Sequence, residues 1–214
     1  LFQRDNGSTV DLAKLSPRCA EIRDIRGGEI ALIPQEPMAS FSPVHPVGEQ
    51  IVEAILLHAH RWQDTPMSRK QARDIVVGLF RDVGISMPEQ RIDSYSWQLS
   101  GGLRQRAMIA MALSCRPRLL IADEPTTALD VTTQAQILKL IKRIQAEREM
   151  SVLLITHDFG VVADMADRVA VMRQGRVLEN GATGSVLGNP SDPYTRALIA
   201  AVPKGENHLP PPPD

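Results

Sequence analysis

The stretch that decides the fold is "LLIADEPTTALD", Leu119 to Asp130. An apolar run of four residues ends in two adjacent acids, Asp123 and Glu124, and a third acid, Asp130, follows after a proline and two threonines. Four to eight apolar residues bounded by turn formers read as a buried strand. A single acid after such a strand is ordinary solvated loop. Two adjacent carboxylates repel and raise each other's cost of ionisation, so a pair asks for a use. In an open parallel sheet, ligands bind beyond the carboxyl ends of the strands, where Asp123 and Glu124 stand if the fold is α/β. Phosphoryl transfer needs one acid to hold magnesium and another group to orient the attacking water.

Outward from this stretch, strand and helix alternate. "TTQAQILKLIKRIQAERE" (132–149) reads as a helix, "SVLLIT" (151–156) as a strand and "FGVVADMA" (159–166) as a short helix. "RVAVMRQGRVLENG" (168–181) reads as a hairpin turning at Gln174-Gly175. "PYTRALIAAV" (193–202) is a last helix, and "LPPPPD" an extended tail. Upstream, residues 1–28 read as polar and irregular, "EIALIPQ" (29–35) as a short strand and 36–48 as a proline-bearing loop. The segment "VGEQIVEAILLHAHR" then places Ile51, Ala54, Ile55 and His58 near one face of a helix. Ser68 and Gln71 fit a capping box opening a second helix. This alternation predicts an α/β fold with parallel central strands and a mostly helical lobe inserted over 37–117.

Bulk composition narrows the class. A 214-residue chain with net charge −1 and few aromatics carries neither the basic field nor the stacking surface of a nucleic-acid binder. Its two cysteines, Cys19 and Cys115, have no metal-ligand spacing and read as reduced thiols. No apolar stretch approaches the ~18 residues a membrane span needs.

The second informative stretch is "LSGGLRQRAMIAMAL", Leu99 to Leu113. Ser100, Gly101 and Gly102 open a helix there, and a helix start with glycines offers free N–H groups and close backbone approach to an anion. By itself this is also what a plain serine-capped helix looks like. "LSGGLRQR" followed by "LLIADEPTTALD" resembles the ATP-binding cassette (ABC) ATPases. The likeness extends to Gln35 in "LIPQEP", His157 in "LLITHD" and Asp130 in "TALD", five spaced motifs in the family's order. "GNPSDPYTRALIAAVPKGE" (188–206), "EPMASFSPVHPVGEQI" and "LAKLSPRCAEIRDIRGGEIALIPQ" resemble the oligopeptide and dipeptide importer subgroup.

The resemblance implies a P-loop NTPase-like fold, ATP and Mg2+ as nucleotide and metal, and a role for each matching residue. Glu124 would polarise the attacking water, and His157 would touch the γ-phosphate and align Glu124. Asp123 and Gln35 would serve the magnesium. Ser100 and Gly102 would contact the γ-phosphate of ATP bound to a second copy, Gly101 and Gln105 would be nucleotide-binding with them, and Asp130 would lie at the dimer seam. His58 and His60, two apart on a helix, share no face and carry no catalytic expectation.

The implied organisation is a partial nucleotide-binding core (1–36), a helical subdomain (37–117), the rest of the core (118–187) and a peptide-importer extension (188–214). The implied partners are a second ABC ATPase subunit, identical or not, two membrane permease subunits and, indirectly, a solute-binding protein. The implied place is the cytoplasmic face of the cell membrane. Nickel, glutathione, opine and antimicrobial-peptide carriers use similar ATPases. A soluble ABC protein acting on ribosomes or DNA would carry basic patches or tandem cassettes, and a non-catalytic subunit would lack Glu124 or His157. One family motif is missing: no Gly-Lys dipeptide occurs, so G-x-x-x-x-G-K-[ST] is absent. The chain begins at Leu1, and the reading expects an N-terminally truncated ATPase that binds ATP poorly and hydrolyses almost none by itself.

Overall fold

The structure is a computed structural model describing residues 1–4, 7–35, 40–61, 63–126 and 129–202. Its centre is a three-stranded parallel sheet in the order β3 (Ile30–Ile33), β4 (Leu119–Asp123), β5 (Ser151–Ile155). Register pairs Ile33 with Ala122 and Asp123 with Ile155, so the three carboxyl ends finish side by side. Parallel strands need long crossovers. The first here carries the helical lobe, α2 (Val47–His58), α3 (Arg69–Asp82), α4 (Pro88–Arg91) and α5 (Gly101–Leu113); the second is α6 (Val131–Arg148).

The two faces of the sheet differ. Ala31, Ile33, Leu120 and Ala122 are buried, with α1 (Ala20–Gly28) and α5 packed against β3. On the opposite face Leu32, Leu153 and Ile155 are about half exposed, at 56%, 52% and 46%.

The lobe has its own core of Ile51, Val52, Ile55, Ala72, Val76, Leu79, Phe80 and Ile92. The capping box expected at Ser68 and Gln71 is formed and opens α3. Gly48 lets α2 close on the segment after α4: its amide donates to the Ile92 carbonyl at 3.0 Å, and any Cβ there would sit 2.1 Å from the Ile92 side chain. A larger residue would force the two elements apart.

Residues 1–28, read as irregular, contain two structures. β1 (Phe2–Gln3) pairs antiparallel with β2 (Thr9–Val10), and α1 runs from a Cys19 cap to a break where Arg26 and Gly27 leave helical geometry. Only Ile22, Ile25 and Gly28 of α1 are buried, so its apolar stripe is too narrow to show as periodicity. What holds it is nonlocal: Arg4 donates to Glu29 at 2.7 Å and to Asp24 at 2.5 Å, and Glu29 is 1% exposed.

Backbone contacts divide the chain into two units, Leu1–Ile155 and Thr156–Asp214. The second holds α7 (Phe159–Met165), the hairpin β6 (Arg168–Arg173) and β7 (Arg176–Ala182), α8 (Thr183–Gly188) and α9 (Pro193–Ala200). The hairpin turns at Gln174 and Gly175, both at positive φ, as a two-residue turn between twisted strands requires. Glu179 of β7 anchors the segment before α9: it accepts from Ser191 N at 2.7 Å, Ser191 Oγ at 2.8 Å and Asp192 N at 3.1 Å. These donors, Ser191 foremost, hold its carboxyl down at about 2. Arg173 stacks on Tyr194, 4.6 Å from the ring centre. The "LPPPPD" tail lies outside the described residues. Among those described, no helix is long and apolar enough to cross a membrane.

Candidate functional site

β4 delivers its two acids to the sheet's carboxyl edge as its sequence dictates. The pleat alternates Leu120 and Ala122 inward, leaving Asp123 half-buried at the strand's last position. Glu124 then turns the chain with φ 45°, the left-handed region. A non-glycine residue there costs roughly 1–3 kcal/mol and persists only where its surroundings hold it. Two of its own bonds do so: the Glu124 amide donates to the Ile155 carbonyl at 2.9 Å, and Gln35 Nε2 donates to Glu124 Oε2 at 3.1 Å. Gln35 reaches this point because β3 is hydrogen-bonded beside β4 and ends two residues earlier, at Ile33. Residues 89 apart in sequence thus meet at the strand ends.

Ser100, Gly101 and Gly102 form the first turn of α5. Ser100 is exposed at the cap position and accepts from Leu103 N at 3.3 Å. A Cβ on Gly101 would meet nothing within 4 Å, and one on Gly102 would lie 3.5 Å from Thr133 Cγ2 at the start of α6. The turn faces open space. Asp130 caps α6, accepting from Thr133 N at 2.9 Å and from Thr133 Oγ1 at 2.7 Å, and these two donors hold its carboxyl below the ordinary 3.8.

The sequence reading placed Gln105 among the nucleotide-binding residues. Gln105 is 2% exposed, and its side-chain amide donates to the Pro125 carbonyl. A side chain so enclosed and so engaged serves its own chain. Gln105 lies one turn past Gly101 on the same side of α5 but farther along the helix, where the body of the chain covers it.

His157 follows the end of β5 by two residues and is exposed; it belongs to the second unit, with Asp158 after it capping α7 by accepting from Gly160 N at 2.8 Å. Thr127 and Ala128, between the acid pair and Asp130, lie outside the described residues. Among the described residues no cluster of three or more His, Cys, Asp or Glu side chains is arranged to hold a metal ion.

Two ties missed by sequence reasoning join α5 and α6 to the end of α3. Arg106 donates to the Val83 carbonyl at 2.5 Å and to Gln136 Oε1 at 2.7 Å, and Arg143 of α6 donates to the Asp82 carbonyl at 2.7 Å. Both satisfy carbonyls freed at the C-terminus of α3. Long-range pairing of arginines with carbonyls leaves no spacing signal in a sequence.

Comparison with known proteins gives this geometry its context. The ABC transporter family pattern matches residues 2–127. The chain is 51% identical over 203 residues to the glutathione import ATP-binding protein GsiA of Pectobacterium atrosepticum, covering 95% of this chain and 31% of that protein. It is likewise 51% identical over 204 residues to GsiA of Escherichia coli strain K12, covering 95% of this chain and 32% of that one. The chain therefore spans about a third of the length of these curated relatives. Among solved structures, a post-hydrolysis dimer of an ATP-binding cassette bound to ADP and Pi aligns with TM-score 0.68 at 26% identity, covering 79% of this chain and 68% of that one. A dimeric bacterial ABC transporter cassette aligns with TM-score 0.69 at 26% identity, over 80% and 69% of the two chains. With a parallel α/β sheet, an inserted helical lobe and a family match across more than half its length, this chain belongs to the ABC transporter family.

Proposed function

We propose that this chain is part of the ATP-hydrolysing subunit of an ABC importer that takes up a short peptide of the glutathione type across the cytoplasmic membrane. The observation that carries the hydrolytic reading is the bond from Gln35 to Glu124 at the shared carboxyl edge of β3 and β4. It fixes one carboxylate oxygen of Glu124 at the strand ends. Phosphoryl transfer demands little covalent chemistry and much positioning, so a carboxylate held in a strained but over-determined turn suits the task. Asp123, one residue earlier, offers a hard oxygen donor, and the Gln35 carbonyl oxygen stays on offer while its amide is bound to Glu124. Such oxygen donors fit Mg2+, which takes one or two carboxylates and completes its shell with substrate phosphates and water. When bound, the ion would neutralise phosphate charge; the protein's own part is to hold and orient.

The exposed Ser100 turn supports a dimer, in which this turn caps ATP bound to a second ATPase subunit and Asp130 lies at the seam; His157 is read as a contact to the γ-phosphate. Free N–H groups at a helix start favour an anion. The permease subunits would be the membrane partners, with the cassette on the membrane's cytoplasmic face. The peptide class is supported by the 51% identity to glutathione import proteins and by the anchored segment around α9.

Proteoliposomes carrying the assembled transporter test the reading. Labelled glutathione should accumulate on adding ATP and Mg2+, unlabelled short peptides should compete, and Glu124→Gln should stop accumulation. Uptake of Ni2+ instead, with glutathione ignored, would reject the peptide class while leaving the ATPase intact.

A further inference from the structure

We propose that Gln105 is a positioning residue for Glu124, acting through the backbone of Pro125. The inference rests on the hydrolytic reading of Glu124 above. Bonds from β5, Gln35 and α5 restrain the turn that carries Glu124 from outside. β5 holds its amide through the Ile155 carbonyl, Gln35 holds its carboxylate, and Gln105 holds the carbonyl of the next residue, Pro125. The first two act on Glu124 itself. The third fixes the Pro125–Thr126 peptide, the next one after the Glu124–Pro125 peptide, which has no N–H to anchor as the chain leaves the sheet. Gln105 is 2% exposed, so water is a poor substitute if its amide is lost.

Gln105 is also set apart by the helix it belongs to. α5 presents Ser100 and Gly101 to open space in its first turn, and one turn on is tied inward to Pro125 by Gln105 and to Val83 and Gln136 by Arg106. A rigid helix so mounted relates whatever seats on its first turn to the placement of this chain's own carboxylate.

The test is a double-mutant cycle in the assembled transporter. Gln105→Met keeps length and volume and removes the donor. The expected result is a fall in kcat of roughly ten- to a hundredfold, as for a small misplacement of a reacting group, with KM for ATP changed less than about twofold and the unfolding transition retained. In the Glu124→Gln background the same substitution should then change the residual rate by less than about twofold, because the group it positions is gone. Equal fold losses in both backgrounds, a parallel rise in KM, or parent-like kcat would overturn the proposal. Gln105→Glu, which keeps polarity but presents an acceptor to the carbonyl, should lower kcat at least as much; failure of both variants to assemble would assign Gln105 a purely structural role. Should Glu124→Gln alone leave kcat intact, it is the hydrolytic reading of Glu124 that fails.

Discussion

The first and second turns of α5 are four residues apart and have opposite characters. In the first, Ser100 is exposed and Gly101 has open space where a side chain would be. In the second, Gln105 is enclosed and Arg106 reaches both Val83 and Gln136. The sequence presents "SGGLRQR" as one polar block, yet the helix splits it between a surface offered outward and a set of ties turned inward. A motif read as a string conveys which residues belong together; only the packing around each helical turn tells which of them a partner or ligand can reach.

Substitutions can pull these two characters apart. Ser100→Arg should lower ATP turnover of the assembled transporter on the order of a hundredfold, as a blocked docking turn would, while leaving the unfolding temperature of the cassette unchanged. A drop in both would place the first turn in the fold rather than at an interface. Arg106→Met should do the reverse in kind. It leaves the Val83 carbonyl without its donor and should lower stability by about 1–3 kcal/mol in denaturant unfolding. Gly101→Ala should be the mildest in the first turn: a methyl meets nothing in this chain, and alanine's better helix propensity should hold stability level or raise it by up to ~1 kcal/mol. Any turnover lost by Gly101→Ala then measures what seats there from outside.

The smallest effect is expected at the far end of the lobe. His58 is 5% exposed, and burial pushes its imidazole below the ordinary 6.5 against an opposing pull from Asp24. The folded state therefore holds it neutral, and the unfolded chain takes up a proton first as pH falls. Its stability contribution is complete above about pH 6.5 and declines on acidification below it. His58→Leu should flatten the fall in unfolding temperature between pH 7.5 and 5.5, read by circular dichroism; an unchanged slope would assign that fall to other groups.

What could be read in advance follows from range. β4, β5 and α6 announce themselves because their apolar residues repeat at strand or helix period and because Asp130 and Ser68 are cap residues just before such runs. The hairpin at Gln174-Gly175 is legible for the same local reason. Even His58, whose spacing puts it on the apolar side of α2, is found buried there. α1 was not legible, since two buried isoleucines and an Arg26-Gly27 break give no stripe, and the Arg4 network that fixes it spans 20 to 25 residues. At the site, the strand-exit carboxylates were visible as a pair, whereas the burial of Gln105 and the Arg106 and Arg143 ties depend on packing between elements. The division at Ile155 and Thr156 likewise follows from contact density, which no local pattern encodes.

The central claim is that Glu124, turned at the end of β4 and bonded to Gln35, is the group that drives ATP hydrolysis. Single-turnover hydrolysis of radiolabelled ATP by the assembled transporter, parent against Glu124→Gln, tests it most directly. The account predicts nucleotide binding within about twofold of the parent and γ-phosphate release slowed by two orders of magnitude or more, as for loss of a group acting only in the transition state. Phosphate release at the parental rate with ATP bound as before would contradict it.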